Sequence, residues 1–213
     1  MLKFLLMPLI NNKPVDIVDV GTGNIANICS AFKKVNISYN LCSKVSDFKG
    51  GKIILPGVGA FADFMEKLKM RSIDNYIVNK SKENISILGI CLGFQVLFSS
   101  STEHKFSRGL NLLRGDFDLI ESNVLIPHVG WNDCKIKKKK IDLFKGINNN
   151  SDFYFTHSYI LKKYEEKDII AFTKYGTKFP SAAKKNNIYG VQFHPEKSQD
   201  KGLLILKNFY EMC

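Results

Sequence analysis

Three short apolar runs in the first hundred residues share one grammar. VDIVDV (15–20) ends in GTGN, KIIL (52–55) ends in PGVG, and the run 85–90 ends at Cys91. A helical pattern resumes after each. Ile25, Cys29, Phe32 and Val35 recur at near-helical spacing after the first. Residues 61–68 and 72–79 read as helices after the second, and 92–99 continues as a helix after the third. Residues 38–42 supply one more strand. Strands that are apolar throughout, rather than alternating, are buried on both faces. That is the signature of a parallel sheet with helices on both faces, an α/β fold.

The texture changes after about residue 113. Strand-like runs at 116–120, 124–126, 153–161, 169–174 and 182–183 are joined by polar turns such as GINNNSD. They predict antiparallel additions in the C-terminal half. Residues 189–193 form one more buried strand, and 201–210 a closing amphipathic helix. A length of 213 residues, with 45% hydrophobic and 24% charged residues, suits one globular domain with a real core. Neither an internal repeat nor a long linker divides it. Residues 1–14 are expected to be an N-terminal extension, and 15–213 the domain. The opening MLKFLLMPLI lacks a small-residue cleavage site, and Pro8 interrupts its apolar run, so it is not expected to be an export signal. The net charge of +11 is dispersed. Its densest run, KIKKKK (135–140), is expected to be a solvated turn between strands rather than a nucleic-acid site. The five cysteines are odd in number and irregular in spacing. They argue against a disulfide framework or a zinc site and for a reducing cytoplasm.

The third run carries chemistry. In ILGICLGFQVLF a strand leads into Cys91 and a helix starts at once, with Gly89 and Gly93 two residues to either side. This is a nucleophile elbow with sulfur in place of a serine oxygen, and the glycines relieve its crowding. The helix start favours the thiolate, and the Leu92 N–H points to where an oxyanion would form. A thiolate needs a base. Of four histidines, only His194, in GVQFHPEKSQ, ends a clear buried strand. Functional groups of an open parallel sheet gather at the carboxyl ends of its strands, where Cys91 also lies. Glu196 follows two residues later, placed to accept the imidazole Nδ1–H and fix its tautomer.

GICLGFQ with a later FHPE resembles the class I (triad, flavodoxin-like) glutamine amidotransferases from about residue 15 to 210. GTGN, LPGVGAF, PHVGWN (127–132) and FTHSY (155–159) narrow the resemblance to the glutaminase subunits of imidazole glycerol phosphate synthase. The resemblance implies glutamine hydrolysis to glutamate and ammonia by a Cys91–His194–Glu196 triad. It implies an oxyanion hole from Val58, in a loop that flips a peptide, together with Leu92. It implies a glutamine pocket of Gly59, Gln95, Glu103, His157 and Ser158. It also implies a heterodimer with a HisF-type (βα)8-barrel cyclase, met by Asn24, Asn27, Trp131, Tyr154 and Lys197. The cyclase uses the ammonia to convert PRFAR to imidazole glycerol phosphate and AICAR. No metal, cofactor, nucleic acid or membrane is implied. Phe94 departs from the pattern, since family members usually have methionine there, and so do Thr22 and the continuation GNIAN. Close paralogues feed ammonia to other synthases, such as those making amidino sugars of surface polysaccharides, and that alternative stands beside the first.

Overall fold

The structure is a computed structural model and describes residues 13–121, 123–137 and 141–213. β1 (Val15–Val18) leads to α1 (Ile25–Lys34), β2 (Tyr39–Cys42), β3 (Ile53–Gly57), α2 (Phe61–Met70), α3 (Ile73–Lys82), β4 (Ile87–Cys91) and the short α4 (Leu92–Val96). The two-residue strands β5 (Ser100–Ser101) and β6 (Ser107–Arg108) follow, then β7 (Gly115–Leu119), β8 (His128–Ile136) and β9 (Ser151–His157). The chain closes with β10 (Tyr159–Tyr164), β11 (Ile169–Tyr175), β12 (Thr177–Lys185), β13 (Ile188–Val191) and α5 (Gln199–Met212).

A nine-stranded sheet runs β2-β1-β3-β4-β13-β12-β11-β8-β9. Its first five strands are parallel and the rest are antiparallel additions. The parallel strands β1, β3, β4 and β13 are buried at every residue, because helices cover both faces. By contrast, β9 alternates buried and accessible residues. The apolar side of α1 (Ile28, Ala31, Phe32) joins Ile205, Leu206 and Phe209 of α5 in one core. Phe61, Phe64, Ile73, Ile77 and Phe94 of α2, α3 and α4 fill a second core against Ile53, Leu55 and Ile87. A small sheet, β10-β7-β5-β6, lies beside the large one.

Some expectations shift. Residues 124–126 form no strand, and the strand there begins at His128. The single run 153–161 is two strands that part at Ser158, β9 entering the large sheet and β10 the small one. The helix expected to reach residue 99 ends at Val96, where the chain turns into β5. Of KIKKKK, Lys135 and Ile136 continue β8 and Lys137 pairs with Glu166, while 138–140 lie outside the described residues. So does most of the proposed extension, residues 1–12.

Candidate active site

β4 delivers Cys91 in a conformation that L-residues seldom adopt, φ 55° and ψ −109°. The turn is held by close packing. A Cβ on Gly93 would sit 1.6 Å from the Leu55 carbonyl oxygen, and one on Gly89 would sit 2.6 Å from that of Gly93. Only glycine lets α4 lie this close to β3 and β4, and that closeness forces the backbone to turn at the sulfur. The thiol donates to the Thr156 carbonyl at 3.6 Å and is only 5% exposed.

β13 is the parallel neighbour of β4, with Gly190 opposite Gly89 and Val191 opposite Ile90. The chain therefore leaves β13 beside Cys91. Gln192 Nε2 lies 3.8 Å from Cys91 Sγ, and Gln95 Nε2 donates to Gln192 Oε1 at 3.2 Å. Two residues further, the buried His194 holds Glu196 Oε1 through Nδ1 at 2.7 Å. Its Nε2 is buried without a hydrogen-bond partner. Burial would lower the His194 pKa. The negative charge of Cys91 and the hydrogen bond and charge of Glu196 outweigh it and push the group up to about 10. His194 therefore holds a proton through neutral pH, beside the sulfur. The turn is stitched in place. His194 N–H donates to the Tyr154 carbonyl at 2.8 Å, Tyr154 N–H to Ser198 Oγ at 3.0 Å, and Ser198 Oγ to the His194 carbonyl at 2.6 Å.

A cavity of about 250 Å³ opens over Cys91, a size for a small polar molecule rather than a large one. Val58, Gly59, Leu92, Gln95, Glu103, His157 and Ser158 all line it. Val58 and Gly59 come from the loop after β3, where Gly59 has a φ of 106°. Glu103, on the loop between β5 and β6, accepts the Phe61 N–H at 2.6 Å. His157 Nδ1 donates to the Tyr159 carbonyl at 2.9 Å, which leaves Nε2 an acceptor. His128 Nδ1 then donates to it at 3.0 Å, and His128 Nε2 accepts from Asn132 Nδ2 at 3.2 Å. Burial keeps both rings neutral, pulling His128 down to about 4 and His157 to about 3.

Trp131, half exposed on β8, meets Tyr154 edge-on at 6.1 Å, and Lys197 Nζ lies 5.4 Å over the Tyr154 ring. Asn24 and Asn27 are exposed at the start of α1, which packs on the turn holding Lys197. The sequence reasoning missed five residues at the site. Pro127, Thr156 and Tyr159 line the cavity, His128 backs it, and Gln192 reaches the sulfur. Gln192 carried a usable signal, since it follows β13 directly and stands two residues before His194.

Strand-end sulfur, buried imidazole–carboxylate pair and small polar cavity define a class. The chain belongs to the class-I glutamine amidotransferases, and residues 16–213 match that family. More particularly, it is 38% identical over 201 residues to "Imidazole glycerol phosphate synthase subunit HisH" of Moorella thermoacetica, covering 94% of this chain and 95% of that one. The protein of the same name from Sulfurimonas denitrificans is 42% identical over 201 residues, covering 92% and 96%. Among solved structures, that of PurLQS from Thermotoga maritima superposes with a TM-score of 0.72 at 18% identity, covering 92% of this chain and 97% of that one. It speaks to the fold alone.

Proposed function

We propose that the chain is the glutaminase subunit of an imidazole glycerol phosphate synthase, acting in histidine biosynthesis. Cys91 attacks the side-chain carbonyl carbon of glutamine, and the oxyanion takes hydrogen bonds from the Leu92 and Val58 N–H groups. His194 gives its proton to the departing ammonia, leaving a glutamyl thioester. It then takes a proton from the water that releases glutamate, while Glu196 keeps Nδ1 protonated and the ring in place. Gly59, Gln95, Glu103, His157 and Ser158 seat the amino acid. The carrying observation is the pairing of adjacent strand ends, with Cys91 closing β4 and the buried His194–Glu196 pair following β13.

Ammonia passes to a HisF-type barrel cyclase seated on Asn24, Asn27, Trp131, Tyr154 and Lys197. An exposed tryptophan packed on a tyrosine suits an interface anchor. The relatives named as HisH at 38–42% identity favour this partner over a paralogous synthase. Residues 15–213 form the amidotransferase domain and 1–14 an extension, in a cytoplasmic protein. No helix among the described residues is long and apolar enough to cross a membrane. The test is glutamine hydrolysis with the cyclase and its ligand. The complex turns over, and Cys91→Ala in the same complex does not. Hydrolysis by Cys91→Ala at the parent rate would remove the nucleophile assignment. Restored growth without histidine in a strain lacking this subunit would establish the pathway.

A further inference from the structure

We propose that Gln192 is a further catalytic residue, its side-chain amide donating a hydrogen bond to the Cys91 thiolate. The proposal rests on Cys91 as the nucleophile and adds a group whose role the triad leaves open. A thiolate at a 5% exposed site has little water to solvate it and needs donors from the protein. Of the groups within hydrogen-bond reach of the sulfur, the Thr156 carbonyl can only accept. It suits the thiol at 3.6 Å and repels the thiolate. The Gln192 amide at 3.8 Å is a donor that the ionised sulfur can use.

Its orientation is held from the other end. Gln95 Nε2 donates to Gln192 Oε1 at 3.2 Å, so the Gln192 NH₂ faces the sulfur. The backbone is anchored as well, with Gln192 N–H donating to the Ser181 carbonyl at 2.9 Å. At 1% exposed, the side chain has no solvent alternative. Proton donor and sulfur holder are thus separate groups on one strand extension. His194 supplies and removes the proton, while Gln192 steadies the charge and direction of the sulfur before attack.

The test is carboxamidomethylation of Cys91 in the full chain by iodoacetamide, followed as a function of pH by mass spectrometry of the Cys91 peptide. The peptide readout separates Cys91 from the other four free cysteines. The titratable groups around the sulfur, His194, Glu196, Glu103 and His157, are the same in parent and variant. Gln192→Met keeps the bulk and removes the donor. Its Cys91 profile should move up by about one pH unit, with the alkylation rate falling about tenfold at any pH on the rising limb of the parent profile. Coincident profiles in a folded Gln192→Met would overturn the proposal. Should that variant not fold, the parent decides. The Gln192 side-chain amide proton resonances should move as Cys91 titrates and stay still in Cys91→Ser, and resonances that do not move in the parent overturn the assignment. Alkylation needs no glutamine, so a negative result here leaves the glutaminase activity standing. Absent glutamine turnover in the complex would instead remove the glutaminase alone.

Discussion

Phe94 is the residue at which the elbow departs from the pattern it resembles, and its side chain points away from the chemistry. The ring is fully buried, edge-on to Phe98 at 5.1 Å and Phe117 at 5.7 Å. It occupies the space that Gly190 leaves empty, since a Cβ there would come within 2.2 Å of it. The aromatic ring is a core packing choice next to the elbow and forms no part of the cavity wall. Phe94→Met should therefore cost about 1 kcal/mol in urea denaturation and leave KM for glutamine within about twofold. Gly190→Ala drives a methyl into the ring and should cost about 2–3 kcal/mol by the same measurement. A large KM change in Phe94→Met with stability preserved would show that the ring governs substrate after all.

At the scale of elements, the turn after β13 is the most heavily tied piece of the site. Ser198 bridges the β9 backbone and the His194 carbonyl, so one hydroxyl sets the height of the imidazole above the sheet. Ser198→Ala should cost about 1–3 kcal/mol and lower kcat on the order of tenfold with KM little changed, because it shifts the proton donor rather than the pocket. Single-turnover hydrolysis in the complex checks this. β1 and β3 were legible because each is a short apolar run that ends in a glycine-rich turn, and β4 because its apolar run ends at the glycine-flanked Cys91. Cys91 and His194 were legible because strand ends in such a sheet converge. The antiparallel half was harder to read. Nothing in FYFTHSYIL marks the break at Ser158, since apolar residues stand on both sides and the change of sheet is a tertiary event. His128 and Gln192 were not picked out because their partners lie 29 and 101 residues away. Their types fit an ordinary strand as well as a site.

For the whole molecule, the buried imidazoles set opposing pH limits. The unfolded chain titrates its histidines near 6.5. His194 is raised to about 10, so its contribution to stability is full below about 6.5 and is lost as pH rises toward 10. His128 and His157 are depressed to about 4 and about 3, so theirs is full above about 6.5 and is lost as pH falls through that range. Stability should peak near the ordinary imidazole value, and His128→Asn should flatten the acid limb of a Tm-against-pH curve. The isolated chain should hydrolyse glutamine on the order of a hundredfold more slowly than the complex, if the Val58 donor is set only on docking. Steady-state assays with and without the cyclase decide this, and equal rates would sink it. The break at Ser158 reaches further. His157, Ser158 and Tyr159 bridge two sheets along one unbroken stretch of chain, so the cavity wall draws on both sheets at once. The proposed partner surface, Trp131 and Tyr154, lies on β8 and β9, in the large sheet alone. A partner held there would meet the strand whose last residue, His157, forms part of the cavity wall.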